Sequence, residues 1–227
     1  MTVRPAVTGD AATTGLLIGH GSPDPRHAMA LRHLAACVSE QLASLASDVD
    51  CEIAFLDHDQ PLLANWLTDR PSRPLRAIGL LLASGYHAQI DIPQALAAGG
   101  ASRPVTNLGT LSLDGWLFGV LDRRVGDVGG TEGASVVLVA AGSTQEAARK
   151  DLRTVCDEWQ RRRGGAVLPA AVTGPDPRPQ DVVSTLDVAA SEVVVLPFML
   201  APGALADRAR AAAALAGVRC APTITTE

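Results

Sequence analysis

The chain has 227 residues, enough for one large α/β domain or two small ones, each able to bury a core. Hydrophobic residues make up 47%, charged residues 19% and aromatics 3%, so the core must be built from Ala, Val and Leu. The net charge is −5, no basic stripe with interleaved aromatics occurs, and no apolar run reaches the ~18 residues of a membrane span, which argues against nucleic-acid and membrane partners.

The N-terminal stretch MTVRPAVTGDAATTG is polar and small and lacks the charged-then-apolar order of a signal peptide. It reads as a disordered lead over residues 1–14 of a cytoplasmic protein. Cys37, Cys51, Cys156 and Cys220 form no C-x-x-C pair. They read as reduced, mostly buried thiols, which argues against a thiolate metal site.

Strand and helix patterns then alternate. Residues 15–19 form a short apolar strand ending in GHGS. Residues 25–46 carry Met29, Leu31, Leu34, Val38, Leu42 and Leu45 at helical spacing. Strand 51–56, helix 61–68 and an almost wholly apolar strand 76–83 follow, the last as expected of a strand buried on both faces. A helix is expected over 92–98, a strand over 105–108 and a helix over 113–124. Asp91 and Pro93 read as its cap and first-turn proline. The segment GDVGGTEGAS has four glycines in ten residues and reads as a linker, 126–134.

Beyond it the pattern restarts: strand 135–141, helix 144–163, strand 166–172, helix 180–190, strand 192–197, helix 205–216 and strand 218–221. Gly21-Ser22 matches Gly142-Ser143 at an offset of 142 − 21 = 121, and Gly85 matches Gly203 at 203 − 85 = 118. Near-constant offsets across two motifs imply an internal duplication. The expected fold class is therefore α/β: two tandem doubly wound units, each a four-stranded parallel sheet flanked by helices. The first unit spans 15–125 and the second 135–227. In the common order for such a unit strand 1 lies between strands 2 and 3, and ligands bind beyond the carboxyl ends of the strands.

All five histidines, His20, His27, His33, His58 and His87, lie in the first half. His20 follows strand 1, His87 lies four residues after strand 3, and Asp57 and His58 close strand 2. A 2-1-3 order sets these segments side by side, ~4.8 Å apart. Two imidazoles and a carboxylate there make a nitrogen and oxygen site suited to Fe²⁺, Co²⁺, Ni²⁺ or Zn²⁺. His27 and His33 fall within the first helix and read as surface residues; His58 suits solvent. Ala141 and Leu205 stand where His20 and His87 stand in the first half, so the second half is expected to supply the opposite wall of a cleft.

Three motifs carry a family resemblance: GHGSPDPR at 19–26, AFLDHDQP at 54–61 and GYHAQIDIP at 85–93. Together and in this order, they resemble the class II tetrapyrrole chelatases, specifically the sirohydrochlorin chelatases of the CbiX/SirB type, in the long form with two homologous halves. The resemblance implies His20 and His87 as catalytic and metal-facing residues. It places Asp57 where the family usually has a metal-site Glu. It implies a divalent metal (Fe²⁺, Co²⁺ or Ni²⁺) as substrate, no permanently bound cofactor, and a carboxylate-rich tetrapyrrole as the other substrate of a monomer or homodimer.

Binding such a ring requires hydrogen-bond donors. Gly21 and Ser22 lead into a helix N-terminus, whose free N–H groups attract anions. Arg26, Ser84, Tyr86, Ser143 and Gly203 complete the expected substrate contacts, although Ser22 also suits a helix cap and Arg26 a solvated position. Two other readings compete. One is a carrier of tetrapyrrole or metal that kept the fold without turnover. The other is a phosphate-binding transferase, against which the absence of G-x-G-x-x-G and of a Walker lysine argues.

Overall fold

The computed structural model describes residues 13–45, 47–70, 73–83, 85–99, 103–111 and 115–225. Two four-stranded sheets, all parallel, make up its framework. The first contains β1 (Thr13–Gly19), β2 (Val49–Phe55), β3 (Leu75–Gly79) and β4 (Val105–Thr110), in the order β2-β1-β3-β4. The second contains β5 (Ser135–Ala140), β6 (Val167–Ala171), β7 (Val193–Pro197) and β8 (Arg219–Cys220), in the order β6-β5-β7-β8. The doubly wound α/β class is thus observed twice. β1 begins at Thr13, inside the expected lead; residues 1–12 lie outside the described residues.

Seven α-helices connect the described strands: α1 (Pro25–Ser44), α2 (Leu63–Asp69), α3 (Ile92–Gly99), α4 (Gly115–Gly126), α5 (Glu146–Arg163), α6 (Pro179–Ser184) and α7 (Ala204–Leu215). α1 starts where its sequence dictates. Asp24 accepts a hydrogen bond from the Arg26 amide as N-cap, and Pro25 fills the first turn, where its missing N–H costs nothing. Ala28, Leu31 and Ala35 form its buried stripe.

Three apolar clusters hold the layers together. The largest joins Leu17, Leu31 and Phe55 of the first half to Val136, Trp159 and Phe198 of the second, so the halves share one core. α2 and α3 cover the opposite face of the first sheet through Leu63, Trp66, Ile92 and Leu96. α6 and α7 do the same for the second sheet through Val182, Ala209 and Ala213. Trp159, fully buried, also donates its indole N–H to Asp122 across the halves at 3.0 Å. A buried indole of this kind stabilises the fold by about 3–5 kcal/mol relative to alanine.

The connection through 127–134 is pinned to the second half. Arg163 donates to the carbonyls of Thr131 and Glu132, and Arg219 to those of Val128 and Gly129. Glycine is needed at Gly130 because a Cβ there would lie 2.4 Å from Val125 Cγ1. Close packing, not chain flexibility, is thus what requires glycine at this one position of the linker.

Three further departures from expectation bear on the cavities and helices. β3 stops at Gly79; Leu80 adds one last bond to the Ile18 carbonyl, and the chain to Ala83 then lines a cavity. An apolar run cannot mark the point where a buried strand becomes an apolar wall. α6 ends at Ser184, shorter than its pattern suggested. The third difference is a π-helical turn, His87–Asp91, ahead of α3. Pro93 inside a continuous α-helix would remove an i→i−4 bond and clash with a carbonyl one turn back. The wider turn, closed by Ile92 N–H donating to the His87 carbonyl, accommodates it.

Candidate active site

Strand pairing brings the site segments together. Gly19 pairs with Phe55, and Ile18 with Gly79, so the chain leaves β1, β2 and β3 at one sheet edge. Gly21 has φ 92°, and a Cβ on it would lie 1.7 Å from the Asp57 carbonyl oxygen. Only glycine lets the turn after β1 press this closely on the loop after β2. The Asp57 amide donates to the His20 carbonyl at 2.9 Å, and the Ser22 amide to Asp59 Oδ2 at 3.0 Å. His20 is thereby fixed at the sheet edge.

The two histidines meet there. His20 Nε2 and His87 Nε2 are 3.0 Å apart, with ring centroids 4.4 Å apart and planes at 75°. His20 Nδ1 lies 2.9 Å from the Gly21 carbonyl, which only accepts, so Nδ1 donates. His87 Nδ1 lies 2.5 Å from Asp91 Oδ2. With Nδ1 of His87 turned to the Asp91 carboxylate and Nδ1 of His20 to a carbonyl, the two Nε2 atoms face each other, and their contact closes through one proton or one cation between them. Two nitrogens held by a single metal ion at about 2.0–2.1 Å lie about 3.0–3.4 Å apart, so a metal can replace that proton with little movement.

Asp91 was read from sequence as a helix cap. The π turn instead places it inside the helical run, one turn beyond His87, where it fixes that ring. The i,i+4 spacing of His87 and Asp91 was the available signal, hidden because the helix was expected to start at 92. His27 also needs correction. It lines the cavity beside His20 rather than the surface, is half-buried, and burial pushes its pKa below the ordinary histidine value. Its spacing from buried Leu31 and Ala35, four and eight residues on, marks this face. His33 is exposed, as read. The four described cysteines form no disulfide; Cys37 is exposed, and burial pushes the Cys156 thiol up to about 12.

Asp57 stands apart from the pair. Its carboxylate accepts from the His58 amide at 2.7 Å and lies 3.6 Å from His58 Nε2. No group of three or more His, Cys, Asp or Glu among the described residues is preassembled to hold a metal ion. The expected three-ligand set is thus a histidine pair with Asp57 nearby in a shared cavity.

The expected substrate contacts divide. Gly21, Ser22 and Gly203 line one cavity of about 380 Å³ between the halves, and Ser143 lines an adjoining one of about 260 Å³. Both include His20, His27, Met199 and Leu200; Leu80 and Phe198 give the smaller one apolar walls. Tyr86 is exposed beside His87, ring centroids 6.2 Å apart, and lines neither. Arg26 points elsewhere: it pairs with Asp24 at 2.5 Å and with Asp207 of α7 at 2.6 Å, strapping one half to the other. The start of α1 is already occupied by the Asp24 carboxylate, so its amides are not the open anion site expected. Ser84 lies outside the described residues. Sequence reasoning missed Arg149 and Asp176, which line the cleft from the second half with Nε and Oδ1 3.6 Å apart.

Comparisons with known proteins match this fold. SirB from Bacillus subtilis with Fe3+ superposes with a TM-score of 0.74 and 21% identity, over 93% of this chain and 88% of SirB. The sirohydrochlorin chelatase SirB from Bacillus subtilis subspecies spizizenii in complex with cobalt gives 0.69 and 22%, over 93% and 87%. CbiX, the terminal enzyme for siroheme biosynthesis in denitrifying bacteria, gives 0.68 and 17%, over 94% and 92%. A comparison with curated proteins returns no match. The CbiX family description matches residues 14–128 and 135–219, one stretch in each half, and the chain therefore belongs to the CbiX family.

Proposed function

We propose that the protein is a sirohydrochlorin chelatase of the cytoplasm, a lyase that inserts a divalent metal into a carboxylate-rich tetrapyrrole. Fe²⁺ would yield siroheme; Co²⁺ would serve cobalamin biosynthesis. The observation that carries this reading is the 3.0 Å contact between His20 Nε2 and His87 Nε2 beside the cleft.

Insertion exchanges one M²⁺ for the two pyrrole N–H protons, which must leave the ring. A neutral imidazole binds first-row metals and accepts protons through the same nitrogen lone pair. His20 and His87 are assigned both tasks: their Nε2 atoms hold the incoming ion and, as it passes to the ring, are freed to receive the two pyrrole protons. Asp91 orients His87. Asp57, whose amide bonds to the His20 carbonyl and which lines the same cavity as the pair, is assigned a part in receiving the ion. Apolar Leu80, Phe198 and Met199 suit the flat faces of a macrocycle, as small-molecule sites require. Gly21, Ser22, Ser143, Gly203 and Arg149 surround the space its carboxylates would occupy.

The test is a visible-absorption assay with sirohydrochlorin and Fe²⁺, Co²⁺ or Ni²⁺ in turn. Protein-dependent conversion to the metallated spectrum is expected, and the metal series ranks the ions. Binding of the ring without any acceleration of insertion would overturn this reading in favour of a carrier.

A further inference from the structure

His20 lines three cavities at once. Two form the cleft between the halves. The third, about 530 Å³, is built by the first half alone, from the loop after β2 and from α2 and α3. Its floor belongs to the other face of the first sheet. Leu63 lines it and packs with Leu16, Ile18 and Leu96, whereas the cleft side packs through Leu17, Leu80 and Phe198. His20 is therefore a partition with space on both sides, whereas His87 and Asp91 line only the third cavity among these three.

We propose that the divalent metal reaches the imidazole pair through this third cavity, from the side opposite the tetrapyrrole. The proposal rests on the chelatase reading above. A flat macrocycle in the cleft covers His20 on that side, so an ion arriving there would have to precede the ring. The third cavity stays open whichever substrate binds first. Its chemistry also differs. Asp57, Asp91 and Gln94 supply oxygen ligands, and neither lysine nor arginine is among the described residues that line it. Carboxylates in a concave wall raise the local concentration of a hydrated dication. Oxygen and imidazole donors without thiolate hold Fe²⁺, Co²⁺ or Ni²⁺ loosely enough to pass them on. The cleft, by contrast, sets its one described carboxylate, Asp176, against Arg149 among mostly apolar walls.

Gln94 is exposed on α3 and has no part in holding the fold, so its charge can be changed in both directions. Gln94→Lys should raise the KM for Co²⁺ on the order of five-fold and Gln94→Glu should lower it, with the KM for sirohydrochlorin unchanged in both. Leu205→Lys, on the cleft side, should alter the KM for sirohydrochlorin and leave that for Co²⁺. Rapid mixing of a preformed enzyme–sirohydrochlorin complex with Co²⁺ should give insertion faster than the ring dissociates. Equal Co²⁺ KM values in both Gln94 variants, or insertion that waits for ring release, would overturn the route. Absence of insertion by the unaltered protein would instead defeat the chelatase reading. A Co²⁺ absorption titration of the Gln94 variants without any ring would then still report whether the cavity attracts the ion.

Discussion

Gly21, at φ 92°, presses on the carbonyl of Asp57; Gly142, at φ 103°, presses on that of Thr173. The Asp57 amide donates to the His20 carbonyl, and the Thr173 amide donates to that of Ala141. Ser22 Oγ accepts from the Asp24 amide, and Ser143 Oγ from that of Gln145. Leu80 extends the ladder to Ile18, and Phe198 to Val139. The two halves thus repeat one turn through these bonds and differ in the side chains it presents. Where the first has His20 and His87, the second has Ala141 and Leu205. The backbone device is common to both halves, and the imidazole pair stands in the first alone.

A second difference lies in the π turn. Before it, Gly85 corresponds to Gly203 at an offset of 203 − 85 = 118. After it, buried Ile92 and Leu96 correspond to buried Ala209 and Ala213 at 209 − 92 = 117. The first half has gained one residue inside the turn His87–Asp91. That residue widens the helix and sets Asp91 against His87. π turns of this kind recur at functional sites because the local ladder is broken there.

The largest effect expected from breaking this asymmetry is catalytic. His20→Ala and His87→Ala should each lower metal insertion by about a hundred-fold or more, the usual scale of a lost proton-transfer group, with circular dichroism unchanged. Leu205→Ala should leave the chemical step intact. Next comes the shared turn. Gly21→Ala and Gly142→Ala should both destabilise, by about 1–3 kcal/mol from the positive φ alone, read as a lower urea midpoint. Only Gly21→Ala should also displace the imidazole pair and collapse turnover. Equal loss of turnover in both would make the second half a catalytic partner. Asp91→Asn should lower metal affinity by about ten-fold, the scale of a lost orienting partner, with the fold retained.

The smallest effect concerns the strap between the halves. Arg26 holds the Asp24 and Asp207 carboxyls below the usual carboxylate range. Depressed carboxylates contribute stability that is present above the unfolded-state value and lost as pH falls through the folded one. The strap is solvent-exposed, so its contribution is small. Arg26→Ala should therefore shift the urea midpoint slightly at pH 7, and the shift should vanish in acid. An equal shift at both pH values would show that Arg26 acts by packing instead.

Much of this was legible in the sequence, and the reasons are physical. Strand order followed from alternation of apolar runs, and the placement of His20 and His87 followed from strand order. What escaped was local. A proline after an aspartate reads as a helix start, yet the π turn moves that start five residues earlier and turns Asp91 from cap to partner. Arg26 was read as free for substrate because its partner, Asp207, lies 181 residues away. Leu80, Leu81 and Leu82 read as strand because burial in a wall and burial in a sheet leave the same pattern.

The account turns on two imidazoles sharing one ion. X-ray absorption of the Co²⁺-loaded protein measures that directly. The prediction is two imidazole nitrogens at about 2.1 Å, falling to one in His87→Ala. An all-oxygen shell, or one that His87→Ala leaves unchanged, would contradict it.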